Sequence, residues 1–154
     1  MRLTFLVVGK QHDAAIAPAI NDYMRRLTKY SKPQWVIVPA PKATLTPHEQ
    51  KNLETTALLA KISPASTVVL LDEHGMLLTS RDFAKELADL RGSAKDIVFV
   101  IGGAHGVGPT LQERANTVWS LSRLTFPHQL VRLVLVEQVY RACTISQGES
   151  YHHD

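Results

Sequence analysis

Two stretches of this chain combine residue types and spacings from which a ligand site could be built. The first is IVFVIGGAHGVG at 97–108, where five apolar residues, four of them β-branched, empty into Gly102 and Gly103. Such a run suits a strand buried on both faces of a parallel sheet, and in open α/β sheets ligands settle just beyond the carboxyl ends of strands. The glycines either serve a strand-to-helix turn or let the backbone come close to a ligand. The second stretch is WSLSRLTFPHQLVRLVLVEQVYRACTIS at 119–146, an apolar segment, a tight loop closed by Pro127 and a long apolar helix. Several familiar chemistries are excluded. Gly103 to Thr110 has the glycine spacing of a phosphate loop, but Pro109 stands where the lysine is required. The dinucleotide G-x-G-x-x-G register is absent, as are a G-x-S-x-G elbow and an H-E-x-x-H pair among the seven histidines. A single cysteine, Cys143, removes the thiolate zinc patterns, so no metal is expected.

The elements that position these stretches follow from periodicity. Leu3 to Val8 reads as a first strand ending at Gly9, and Asp13 as the N-cap of a helix to about Tyr30, with Ile16, Ile20, Met24 and Leu27 on one face. The opposite face carries Arg25, Arg26 and Lys29, with Lys32 beyond, either a solvated surface or a phosphate-contacting patch. Trp35 to Val38 is a second strand, and 39–45 a surface loop. Thr46-Pro47-His48-Glu49 combines a capping box with proline at the first helical position and starts a helix to about Ile62. Thr67 to Leu71 is a third strand, closed by a turn at Asp72-Glu73-His74-Gly75. Thr79 starts a helix ended by Arg91-Gly92, Ile97 to Ile101 is the fourth strand, Pro109 to about Asn116 is helical, and Thr117 to Leu121 is the fifth strand. Strands alternating with helices predict an α/β fold, a mainly parallel sheet with helices on both faces, in one domain over 1–154. The last helix, His128 to Ser146, is apolar around nearly its whole circumference. It needs cover on more than one side, from the sheet and a second copy of the chain, or from deep burial in one chain.

Composition sets the limits. At 154 residues one core suffices, and 45% hydrophobic with 20% charged residues is ordinary for a globular domain. No run approaches the roughly 18 apolar residues of a membrane span, MRLTFLVVGK lacks a signal-peptide cleavage site, and a lone cysteine in an apolar helix fits a reducing compartment; a cytoplasmic location is expected. A formal charge of +3 permits a polyanionic partner without demanding one.

Four segments taken together carry a resemblance: VVLLDEHG at 68–75, FVIGGAHG at 99–106, SLSRLTFPHQLVR at 120–132 with the following E-x-x-Y-R-A, and the terminal SYHHD. Over essentially its full length the chain resembles the ribosomal large-subunit pseudouridine-N3 methyltransferase family, a minimal branch of the SPOUT class. The resemblance implies a trefoil knot in the C-terminal third, a homodimer, and S-adenosylmethionine held by the knot loops. Carried across position by position, the cofactor residues are Leu71, Gly102, Gly103, Ser122, Arg123, Leu124, Thr125, Phe126 and Pro127, with adenine between Leu71 and Leu124. The implied reaction is methyl transfer to N3 of a pseudouridine in helix 69 of 23S rRNA, on the ribosome. Removing the N3 proton calls for a base of near-neutral pKa; His128 is the first choice and His152 the second. For His128 a structural hydrogen bond at a helix start is the competing role. Arg132 would bind phosphate or stack on a base, and Tyr151 would stack on a base unless the last residues are unstructured. His153 and Asp154 follow Tyr-His where the family usually has Arg or Lys, which exchanges a permanent cation for a titratable one.

Overall fold

The apolar runs form five strands, all paired in parallel. In the computed structural model, which describes residues 1–42 and 44–154, β1 (Arg2–Val8), β2 (Lys32–Val38), β3 (Thr67–Leu77), β4 (Asp96–Ile101) and β5 (Thr117–Ser120) lie in the order β2-β1-β4-β3-β5. The helices are α1 (Ala17–Leu27), α2 (Pro47–Leu59), α3 (Ser80–Ser93), α4 (Pro109–Arg114) and α5 (His128–Ser146). Register runs residue against residue: Phe5 lies opposite Trp35 on one side and Phe99 on the other, and Leu70 lies between Val100 and Val118. Pro33 lies within β2, which is tolerable because β2 is an edge strand with no ladder bond to lose on its outer side.

Side chains alternate across the sheet and build a core on each face. Leu3, Phe5, Val7, Phe99 and Ile101 pack with Ile20 and Leu27 of α1, Phe83 and Leu87 of α3, and Leu135 and Val139 of α5. Leu6, Val8, Leu70, Val98 and Val100 pack with Leu58 of α2 and Leu111 of α4. Helices therefore cover both faces.

The departures from the sequence reading lie at element ends. Asp13 is not the N-cap of α1: the helix starts at Ala17 after Ile16, Pro18 presets its first turn, and the Asp13 carbonyl takes the N–H groups of Ile16 and Ala17 in the turn before it. Thr28, Lys29 and Tyr30 bond to carbonyls three residues back, so α1 closes in a tightened turn after Leu27; α2 closes likewise after Leu59, short of Ile62. The capping box at Thr46 and Glu49 is present in both directions. Ala43, in the expected 39–45 loop, lies outside the described residues. α3 runs through Arg91-Gly92 to Ser93. The largest difference is at Asp72–Gly75, where a turn was expected: β3 continues to Leu77, and its pairing with β5 shifts register between Leu71 and Met76. Gly75 permits the shift, because a Cβ there would come within 2.7 Å of the Trp119 backbone.

α5 lies on the sheet between α1 and α3 and buries Leu135, Val136, Val139, Ala142 and Cys143. Burial pushes the Cys143 thiol up to about 11, so it is an un-ionised core side chain at neutral pH. Most of the helix's apolar circumference is thus used within one chain. Leu130, Val134, Glu137 and Arg141 form an outer stripe that remains exposed or half-buried. Leu135→Ala removes a fully buried side chain facing the sheet and should cost about 3 kcal/mol, measured by urea denaturation. An unchanged midpoint would contradict this docking of α5.

Candidate functional site

Three loops far apart in sequence meet at the carboxyl side of the sheet and enclose a cleft of about 790 Å³. Leu71 to His74 come from the β3 bulge, Ile101 to Val107 from the end of β4 and the loop after it, Leu121, Ser122, Leu124, Thr125 and Phe126 from the loop between β5 and α5, and His128 and Val131 from the first turn of α5. Lys51 of α2 and Gln112 of α4 complete the wall. The volume lies in the range of sites that bury a nucleoside-sized ligand. Among the described residues no three acidic, histidine or cysteine side chains gather as a metal site, and no helix is long and apolar enough to cross a membrane.

The glycine loop is built from α2 outward. Gly106 takes φ +74° and its N–H donates to the Gly103 carbonyl at 3.1 Å, which closes a tight turn. A Cβ on Gly103 would overlap Oε2 of Glu54 and come within 2.8 Å of Cδ, so this position is glycine because a carboxyl group lies against it. The next residue, Thr55, accepts the Gly108 N–H on Oγ1 at 2.8 Å. Two successive residues of α2 therefore meet the two ends of the 103–108 segment, Glu54 by contact and Thr55 by a hydrogen bond.

The loop after β5 is shaped by serines. Ser120 Oγ donates to the Ser122 carbonyl at 3.0 Å, and Ser122 Oγ accepts the Leu124 N–H at 2.9 Å. Leu124 stands 73% exposed at the cleft edge, an apolar side chain free to cover a ligand. His128 follows at the first position of α5. Its Nε2 lies 2.7 Å from the Val8 carbonyl, and since a carbonyl only accepts, Nε2 carries the hydrogen and Nδ1 is left with the lone pair in the neutral ring. Burial lowers the His128 pKa and the Arg132 charge adds to this, while the Val8 carbonyl and Glu54 act in the opposite direction. Gly9 makes room: at φ +136° it brings bare backbone past the ring, and a Cβ there would lie 3.1 Å from Arg132 Nη2.

Eight of the expected site residues thus line the cleft: Leu71, Gly102, Gly103, Ser122, Leu124, Thr125, Phe126 and His128. Arg123 instead faces an adjoining hollow with Glu73, His74, Gly75 and Leu77, and Pro127 is the exposed N-cap of α5. Arg132 is fully buried; Nη1 donates to the Lys10 carbonyl at 2.8 Å and to His12 Nδ1 at 3.2 Å, while Nε and Nη2 have no hydrogen-bond partner among the described residues. Tyr151 and His152 are ordered, but they stand elsewhere. The Tyr151 hydroxyl meets Tyr23 Oη and Glu137 Oε1, each at 3.1 Å, and the Arg141 guanidinium lies over its ring. His152 accepts from Arg141 on Nδ1 at 3.2 Å, and its Nε2 faces Asp154 at 3.0 Å. Glu137 is nine residues beyond His128, roughly 14 Å along the helix. Asp154 in turn pairs with Arg81, which together with His152 holds its carboxyl down to about 2. The cations of α1 and of the turn after it are paired as well, Arg25 and Arg26 with Asp22 and Lys29 with Glu149. The sequence reading did not count Glu54, Lys51, His105 or Asp72 to His74 among the site residues, although all lie at or under the cleft. Glu54 in KNLETT looks like any helix-surface acid, and only its burial marks it.

The lowered pKa of His128 fixes the sign of its pH dependence. As pH falls below 6.5 the unfolded histidine protonates first, so its contribution to stability is complete above 6.5 and is lost as pH falls through the lower folded value. An NMR titration of the ring should give a midpoint below 6.5, with Nε2 as the protonated nitrogen of the neutral form. Gly9→Ala should destabilise by about 1–3 kcal/mol through its positive φ and displace that midpoint. A wild-type midpoint at or above 6.5 would contradict the burial described here.

Comparison of the sequence with known proteins identifies a family. The family described as "Predicted SPOUT methyltransferase" covers residues 1–152. Proteins named ribosomal RNA large subunit methyltransferase H from an Anaeromyxobacter species, Desulforamulus reducens and Gemmatimonas aurantiaca are 41%, 42% and 40% identical to this chain, each alignment spanning 99% of both proteins. With its parallel α/β sheet and a cleft formed by the loops after β3, β4 and β5, the chain belongs to the SPOUT methyltransferase family.

Proposed function

We propose that this chain is an S-adenosylmethionine-dependent methyltransferase of large-subunit ribosomal RNA, transferring a methyl group to N3 of a pseudouridine in helix 69 of 23S rRNA on the ribosome. The observation that carries the reading is the meeting of the Leu71, Gly102-Gly103 and Ser122–Phe126 loops around one cleft with His128 on its wall. The three relatives matched over 99% of their length are all named as rRNA large subunit methyltransferases.

The residues suit the donor. Leu71 and the exposed Leu124 offer apolar cover to an adenine, and backbone N–H and C=O groups of 101–106 and 121–126 offer its polar edge partners. When bound, the donor supplies a methyl group already activated by a positive sulfur. The chain then aligns the RNA nitrogen with that methyl and takes up the N3 proton. His128 suits the proton transfer because its lowered pKa keeps it neutral at pH 7 and leaves the Nδ1 lone pair uncommitted to Val8. Arg132 acts behind it by holding the Lys10–His12 turn. Family membership brings with it a trefoil knot in the C-terminal third. In the proposed homodimer a second copy covers the outer stripe of α5 around Leu130 and Val134, and Tyr151 and His152, remote from the cleft of their own chain, belong to the RNA-contacting surface. A ribosomal substrate places the protein in the cytoplasm.

Isothermal titration with S-adenosylmethionine should show binding; a non-catalytic RNA-binding protein would show none. Mass spectrometry of 23S rRNA from a deletion strain should show loss of one methyl group on a helix 69 pseudouridine, and an unchanged pattern would remove that substrate. His128→Ala should lower kcat by about 10²–10⁴ while leaving donor affinity within about threefold.

A further inference from the structure

The cleft has a buried acid beneath it. Glu54 is 2% exposed; Oε1 accepts from Gln50 Nε2 at 3.1 Å, and Oε2 has no hydrogen-bond partner among the described residues. The carboxyl group lies against the bare Cα of Gly103, so the glycine loop is all that separates it from the cleft at this point. Lys51, one turn earlier on α2, lines the cleft, yet it makes no ion pair with Glu54 among the described residues. The charge of Glu54 is felt as far away as His128, where it favours the imidazolium. A buried carboxylate with a free oxygen and no cation is costly unless a positive group arrives to offset it.

We propose that Glu54 is the positioning residue that makes this cleft favour a cationic sulfonium ligand over the neutral thioether that remains after transfer. The inference rests on the S-adenosylmethionine reading above and extends it to the selection between donor and product. Transfer breaks one S–CH3 bond and leaves its electron pair on sulfur, while the methyl group bonds to the RNA nitrogen and the displaced N3 proton leaves with the base. The ligand in the cleft therefore loses its methyl group and, with it, its positive charge. A fixed negative charge under Gly103 attracts the ligand before the step and ceases to attract it afterwards, which helps the product to leave. The flanking contacts suit fixed placement: Gln50 holds one oxygen of the carboxylate, and Thr55 fixes the far end of the loop at Gly108.

The test is isothermal titration of the full chain with S-adenosylmethionine, with sinefungin, which carries an ammonium in place of the sulfonium, and with S-adenosylhomocysteine. A single charge acting across about 10 Å of protein is worth roughly a factor of ten. Glu54→Gln should therefore weaken both cationic ligands about tenfold and change S-adenosylhomocysteine by less than about twofold. Equal losses for all three ligands, or no loss, would overturn the inference while leaving the proposed function standing. If Glu54→Gln does not fold, the wild-type protein still decides: S-adenosylhomocysteine binding as tightly as both cations would overturn it. A wild-type chain that binds none of the three overturns the proposed function and this inference together.

Discussion

The cleft depends on the junction between the first turn of α5 and the end of β1, two segments about 120 residues apart. His128 bonds to the Val8 carbonyl, Arg132 to the Lys10 carbonyl, and Gln129 to both the Gln11 carbonyl and the Asp13 N–H. Without these bonds α5 could still lie on the sheet through Leu135 and Val139, because hydrophobic burial has no directional demand. What the polar contacts add is an axial position. Once the start of α5 is fixed over β1, the 121–127 segment has to bridge from the edge strand β5 back across β3 and β4, and so closes the cleft. Gly9 is part of the same junction, since its φ of +136° strains any residue with a side chain and a Cβ there would crowd the guanidinium at 3.1 Å.

Much of this was readable from the chain itself. Apolar runs of strand length separated by helical periods gave the parallel sheet and its helices, and the capping box at Thr46-Pro47-His48-Glu49 placed the start of α2 to the residue. These signals are local, so they survive without knowledge of the fold. The β3 bulge was not readable: Asp72-Glu73-His74-Gly75 has turn composition, and only the backbone of Trp119 lying under Gly75 keeps the strand going to Leu77. Nor could Arg132, set among Leu and Val, be told from a polar interruption on a helix surface. Its full burial is a consequence of the Lys10–His12 turn, which the sequence places far away.

The terminal Tyr-His pair illustrates the same limit. Tyr151 and His152 matched a motif and were grouped with His128 on that ground, but contacts with α1 and α5 and the Asp154–Arg81 pair fasten the terminal segment across the outer helices. Motif membership says that residues serve one protein; it does not say that they meet within one copy of the chain.

The electrostatics of the site follow from two ionisable side chains that the fold buries without pairing them among the described residues. Arg132 sits behind His128 with two guanidinium nitrogens unpartnered among the described residues, and Glu54 sits behind Gly103 with one free oxygen. Each is costly by itself, and they form no ion pair with one another among the described residues. Their effects on His128 are opposite, Arg132 driving its proton off and Glu54 retaining it, so neither burial nor charge alone sets its basicity. A positive group in the cleft beside His128 would tilt the ring further toward its neutral form, the form that can accept a proton. Under the proposed function, the cationic donor and His128 would then be coupled electrostatically within one cleft.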